Sequence, residues 1–170
     1  MIVYIVRKKT KVSSDYRITE YQPEDVEEMI ALGAVMHREG AYAYLPYIPE
    51  KLRQLDRDIR AGNRTLGNGW VAKTNDKIIA MYVVYLTEYF FCHEKSGSDY
   101  FLYVSPEYRN RYPMLAPKLI KRAEKWAEAN GCRDFTPATS VMISPKVSRV
   151  YEFLRYDVVG NLFKKKLRNK

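Results

Sequence analysis

The sequence predicts an α+β (α/β) protein, and three observations carry that expectation. Residues 100–126 run from an apolar stretch through a basic loop into a pattern with Leu115, Leu119, Ile120, Ala123, Trp126 and Ala127 on one helical face. Lys118, Lys121, Arg122, Glu124 and Lys125 take the other face, which is the spacing of an amphipathic helix. Residues 70–73 and 78–91 are rich in β-branched and aromatic side chains and flank Thr74-Asn75-Asp76, which reads as a hairpin. Two helical patterns lie before the hairpin and a strand, a short helix and a last strand lie after the long helix. The expected order is β-α-α-β-β-β-α-β-α-β.

Taken along the chain, residues 1–6 form an extra edge strand or an arm, and residues 7–14 a polar loop. Residues 16–21 (YRITEY) alternate as a half-buried strand does. Gln22-Pro23-Glu24-Asp25 then opens a helix, with proline and acids in the first turn and Val26, Met29, Ile30, Gly33 and Met36 or His37 inward, ending near Gly40. Residues 41–49 (AYAYLPYIP) read as a packed aromatic loop. Pro49-Glu50 begins a second helix with Leu52, Leu55 and Ile59 as its stripe and Ala61-Gly62-Asn63 as its stop. Residues 95–98 read as a turn into the strand at 100–104. Asn130-Gly131 ends the long helix, residues 134–141 supply a strand despite Pro137, Ser144-Pro145 caps a helix through Leu154, and residues 157–167 make the last strand.

The chain of 170 residues, 46% hydrophobic, suits a single domain, with 1–14 as its arm and 164–170 as a basic tail. Its apolar runs fall far short of the roughly 20 residues of a membrane span. The apolar MIVYIV precedes its basic cluster instead of following it, so the expectation is a cytoplasmic protein without membrane contact, a monomer or homodimer. Cys92 and Cys132 have no metal-ligand spacing to each other or to His37 and His93, so no metal is expected. The formal net charge of +9 is concentrated in 1–14, 107–133 and 144–170, while 15–40 is acidic. A local basic concentration suits a polyanionic ligand, and the tail residues suit nucleic acid or solvation. A strand leading through a cationic loop to a helix N-terminus also gathers free N–H groups where an anion binds.

Four motifs in order resemble the GNAT superfamily of N-acetyltransferases. Val104-Ser105-Pro106-Glu107-Tyr108-Arg109-Asn110 looks like that family's V-x-P-E-Y-R-G segment. Gly69-Trp70-Val71-Ala72 and Asn75-Asp76-Lys77-Ile78-Ile79-Ala80 look like its second and third strands, and Val150-Tyr151-Glu152-Phe153-Leu154-Arg155-Tyr156 matches its L-Y-E-x-L-G-F ending. Met36-His37-Arg38-Glu39 and the end of the chain are similar to small GNAT proteins of bacteriophages. The resemblance implies a central mixed, largely antiparallel sheet flanked by helices, and transfer of an acetyl group from acetyl-CoA (coenzyme A) to an amine on a small molecule, a protein or a modified nucleobase.

It also implies the site. The cofactor loop falls on Arg111, Tyr112, Pro113, Met114, Leu115 and Ala116, with Arg109 beside it, and a methionine stands where the family has its first glycine. Pro113 and Pro117 each lack an N–H, and the two arginines offer bidentate donors to phosphate instead. Backbone at Leu102, Tyr103 and Val104 polarises the acyl carbonyl, and Tyr151 takes the position of the acid that serves the departing thiolate. The base is Asp99, Glu39, His37 or a water relay. His37 and the tyrosine-rich loop of Tyr42, Tyr44 and Tyr47 border the acceptor. The competing expectation is a GNAT-fold protein with weakened or lost catalysis that binds nucleic acid or a protein surface.

Overall fold

The structure, a computed structural model, describes residues 15–62, 67–138, 145–160 and 164–165. Five strands form one sheet in the order β1-β2-β3-β4-β5: Arg17–Glu20, Gly67–Thr74, Lys77–Glu88, Lys95–Val104 and Cys132–Phe135. The first four pair antiparallel and β5 runs parallel to β4, so the sheet is mixed and largely antiparallel, as expected. The five helices are α1 (Val26–Glu39), α2 (Pro49–Ala61), the single turn α3 (Pro106–Arg109), α4 (Leu115–Ala129) and α5 (Pro145–Phe153). No helix among the described residues is long and apolar enough to cross a membrane.

Local chemistry explains most boundaries. Asn75 and Asp76 adopt φ of 47° and 62°, the left-handed pair that a two-residue hairpin needs between β2 and β3. A 3-10 turn at Pro23–Asp25 leads into α1, where Asp25 accepts from the Gln22 N–H at 2.9 Å and pairs with Lys73 of β2. Glu28 accepts from the Ile78 N–H at 2.8 Å, so α1 is tied to the sheet at two strands. Gly62, at φ 63°, ends α2 in the left-handed C-terminal cap that glycine favours.

Each face of the sheet carries its own apolar cluster. Leu115, Leu119, Ile120 and Ala123 of α4 pack with Trp70, Ala72, Tyr82 and Val84 on one face, together with Tyr151 of α5. Met29 of α1 packs with Tyr21, Val71, Ile78, Met81 and Tyr103 on the other. β3 is therefore buried on both sides and reads as a nearly continuous apolar run, as strands covered on two faces do.

Three expectations need correction. Residues 95–98 are not a turn but the first half of β4: Ser96 and Gly97 pair with Thr87 and Leu86 of β3 and with Asp134 and Phe135 of β5. A Cβ at Gly97 would meet the Phe135 ring at 2.5 Å, so the glycine serves a close approach within the sheet. β5 starts at Cys132 and stops at Phe135, ahead of Pro137, which has no N–H to give a ladder. Residues 157–160 and 164–165 form no strand. The proposed arm at 1–14, and the segments 139–144, 161–163 and 166–170, lie outside the described residues.

One residue just after α5 is strained. Arg155 has φ 65° and donates its N–H to the Glu152 carbonyl at 3.0 Å, while the Tyr156 N–H reaches Tyr151 O at 3.0 Å. It occupies the glycine place of the L-Y-E-x-L-G-F pattern. Arg155→Gly is expected to stabilise the protein by about 1 kcal/mol, the rough cost of a side-chain-bearing residue in this region. Urea denaturation of the two proteins reads the difference.

Candidate active site

β4 and β5 part company early, and that divergence makes the site. Their register covers only Lys95, Ser96 and Gly97, after which the Thr136 N–H still reaches Gly97 O at 2.7 Å and the Ala138 N–H reaches Asp99 Oδ1 at 2.8 Å. Beyond that point the outer edge of β4 has no strand beside it among the described residues. Ser105 N–H donates to Ile79 O at 2.9 Å, which fixes the alternation along β4. Tyr103 thus bonds to β3, while Leu102 and Val104 turn their N–H and C=O toward the open edge. Arg109 Nε occupies Val104 O at 2.8 Å, leaving both N–H groups and the Leu102 carbonyl on offer.

The edge points to the mouth of α4. Tyr112 and Leu115 N–H groups are taken by Tyr108 O and Tyr112 O, each at 2.9 Å, and Pro113 and Pro117 have none. The N–H groups of Met114 and Ala116 take no backbone acceptor among the described residues, so they remain as anion donors at a helix start. Met114 has φ −88°, ordinary for a residue with a side chain, and its side chain is exposed. The methionine therefore occupies the family's glycine place without backbone strain. Leu115 and Tyr112 turn into the core, where the Tyr112 hydroxyl has no hydrogen-bond partner.

A cavity of about 1020 Å³ runs from this edge across to α1 and α2. It brings together Leu102, Tyr103, Val104, Arg109, Ala116 and Tyr151. His37, Tyr42 and Tyr47 lie on its wall as well, and the His37 and Tyr47 rings are 5.3 Å apart. Arg111, Tyr112, Met114, Leu115, Tyr44, Glu39 and Asp99 do not line it. Tyr44 lies under Lys164, whose Nζ is 3.9 Å from the Tyr42 ring centre and 4.7 Å from that of Tyr44. Arg111 lies over the Tyr112 ring and reaches Asp15 at 3.5 Å.

Electrostatics separates the titratable candidates. Asp99 is half-buried beside Ala138, which lines the cavity, and desolvation raises its pKa from the ordinary 3.8 to about 6. Burial also raises the Tyr151 phenol above its usual range, with the charge of Asp99 adding to the shift, so the phenol stays protonated at neutral pH. The Tyr82 hydroxyl, enclosed beside Tyr151, is raised in the same way. Glu39 is engaged: Arg109 Nη2 lies 2.7 Å from its Oε2, and the same guanidinium covers the Tyr103 ring at 5.2 Å. Burial pushes the Tyr103 phenol to about 12, and its hydroxyl faces this pair without a hydrogen bond of normal geometry.

The α2 stripe of Leu52, Leu55 and Ile59 lines the cavity and stays half-buried, with Ile59 also packed against the α1-side cluster. Tyr21 and Asp56 also join the wall. The only sequence signal for this wall was the stripe itself.

Comparison with known proteins agrees with the geometry. The model of the acetyltransferase (GNAT) family matches residues 33–143. Similar solved structures include glucosamine-6-phosphate N-acetyltransferase from Arabidopsis thaliana, at 16% identity and TM-score 0.70 over 90% of this chain and 99% of that one. A predicted acetyltransferase from Clostridium acetobutylicum, solved with acetyl-CoA, has 17% identity and TM-score 0.70 over 89% of this chain and 96% of that one. A transcriptional regulator from Bacillus halodurans C-125 has 18% identity and TM-score 0.71 over 89% and 99%. At these identities the likeness shows the fold alone. No curated protein matches. With the family's model covering most of the chain, and the open β4 edge running to the α4 mouth within that match, the chain belongs to the GNAT family of acetyltransferases.

Proposed function

We propose that this protein transfers an acetyl group from acetyl-CoA to the nitrogen of an amine. The observation that carries the reading is the edge of β4 at Leu102 and Val104, unpaired among the described residues, which runs to the N–H groups of Met114 and Ala116, without an acceptor among those residues, with Tyr151 on the same cavity. These residues fit coenzyme A. Edge amides suit an extended chain of amide groups in the way an added strand is held, and the helix mouth with Arg111 suits a pyrophosphate. Acetyl-CoA, when bound, supplies an acyl carbon already activated as a thioester.

In the transfer the C–N bond forms and the C–S bond breaks. The Leu102 and Val104 N–H groups are donors for the acyl oxygen as its charge grows. Asp99, ionised above about pH 6, takes the proton that the amine sheds, through a bridging water because it stands one layer behind the wall. Tyr151, protonated at neutral pH, gives its proton to the departing sulfur, which leaves as the free thiol of coenzyme A, and the phenol regains the proton that Asp99 took from the amine, passed back through water. Glu39 holds Arg109 against Val104 O and serves as a positioning residue. His37, Tyr42 and Tyr47 border the acceptor end, with Tyr44 outside the lining beneath Lys164.

The direct test is thermal stabilisation by acetyl-CoA together with thiol release in the presence of amines. Stabilisation and amine-dependent release support the reading; no stabilisation at millimolar acetyl-CoA removes it. A pH prediction follows from Asp99. The kcat/KM is expected to rise through about pH 6 to a plateau, and Asp99→Asn to flatten that limb and lower the plateau by about a hundredfold, read from pH profiles. The same carboxyl costs stability, because its folded pKa lies above its unfolded value. The penalty is absent below about pH 4, grows as pH rises to about 6, and is fully present above.

One observation favours a second reading. Lys118, Lys121, Arg122 and Lys125 of α4 line a shallow groove with Tyr16, a basic and aromatic surface suited to nucleic acid. It predicts steeply salt-dependent retention on single-stranded DNA or RNA, and absence of retention at low salt removes it.

A further inference from the structure

The α1–α2 wall of the cavity has a composition that selects among amines. α2 presents Leu52, Leu55 and Ile59 to it, and α1 presents Met29, Ile30 and Gly33. An amphipathic helix ordinarily buries its stripe against neighbouring side chains, yet the α2 stripe is only half-buried, and the space it faces is the cavity. Tyr47 closes one side. Its hydroxyl donates to Ile30 O at 2.6 Å, and a Cβ at Gly33 would come within 2.6 Å of that oxygen, so the glycine is what lets the ring lie against α1.

Charge on the wall runs one way. Among the described residues the lining holds a single carboxylate, Asp56, and it already accepts from Tyr21 Oη at 2.9 Å and from Arg60 Nε at 2.8 Å. The lining cations are Arg109, whose charge is paired with Glu39 outside the lining, and Lys164. The partners of Lys164 are the rings of Tyr42 and Tyr44 and the Ala41 carbonyl, so it brings no acid to the wall. A polyamine, an aminoglycoside or a lysine-rich peptide would set its additional ammonium groups against apolar carbon and these cations. Burying an unpaired charge there is costly, whereas an apolar body gains from the same surface.

Resting on the transferase reading, we propose that the acceptor is a primary amine on an apolar, ring-sized body with no second positive charge. The amine end meets the β4 edge and the body fills the α1–α2 wall.

The test measures thiol release from acetyl-CoA with tryptamine and 2-phenylethylamine against spermidine and a lysine-rich peptide. The ring-bearing amines are expected to show kcat/KM at least about tenfold higher, the scale on which a hydrophobic pocket discriminates. Leu55→Glu places a carboxylate at a half-buried position on the cavity face of α2. It should shift the tryptamine-to-spermidine ratio at least about tenfold toward spermidine, with the KM for acetyl-CoA unchanged within about twofold. Equal or better turnover of spermidine or the peptide by the unmodified protein overturns the proposal. So does an unchanged ratio in Leu55→Glu, or failure of both ring amines while acetyl-CoA still stabilises the protein. Loss of stabilisation by acetyl-CoA itself brings down the transferase reading instead, and this proposal with it.

Discussion

Tyr151→Phe is expected to lower kcat by about a hundredfold while the Kd for coenzyme A stays within about twofold, a loss on the scale of one general-acid contact. The ring survives the substitution: it packs edge-on against Tyr156 at 5.3 Å within the α4-side cluster, and phenylalanine keeps that contact. What disappears is the one phenolic proton from α5 on the cavity. Burial holds that phenol above its usual range, so titration of Tyr151 contributes no limb to the rate profile near neutral pH. Steady-state kinetics and calorimetric titration with coenzyme A separate the two effects. A kcat within about twofold of the unmodified protein would remove Tyr151 from the chemistry and leave it as packing.

The largest expected effect on stability comes from α4. Leu119 is fully buried between Leu115, Ile120 and the β3 side chains, so Leu119→Ala leaves a cavity that its neighbours on a helix and a strand cannot close. The loss is expected to be about 2–5 kcal/mol. For a chain of this length that lowers Tm by roughly 5–15 °C, measured by thermal denaturation. Substitution at Leu52 or Leu55 on the α2 stripe should cost far less, because both are only half-buried. That contrast separates a stripe that builds the core from one that lines a binding cavity.

The elements that periodicity and turn chemistry define were legible in the sequence. α4 follows from its stripe, the β2–β3 hairpin from Asn75-Asp76, and the end of α2 from Gly62. The failures are tertiary. Ser96-Gly97-Ser98 reads as a turn because glycine between serines is usually one, and only the Phe135 ring shows why a glycine is needed inside a strand. The alternation in 157–167 resembles a strand, but residues 157–160 find no partner.

The site divides along the same line. Chain order and motif place Tyr151, Arg109 and the β4 end on one cavity, since each belongs to a local pattern. The pairing of Arg109 with Glu39 joins residues seventy positions apart, and nothing local in either announces it. Asp99 acquires its raised pKa from neighbours on other elements, so its type and position in the chain gave only a candidate. The α2 stripe has the same spacing whether a helix packs on a sheet or faces a ligand, and only the sheet's own side chains decide.

The central claim is that the open β4 edge and the α4 mouth hold coenzyme A, and backbone amide NMR during titration with coenzyme A tests it at the atoms concerned. The account predicts saturable shifts largest at the amides of Leu102, Val104, Met114 and Ala116, with the amides of α2 little changed. Absence of shifts at millimolar coenzyme A, or a saturable pattern confined to the basic outer face of α4 at Lys121 and Lys125, would contradict it.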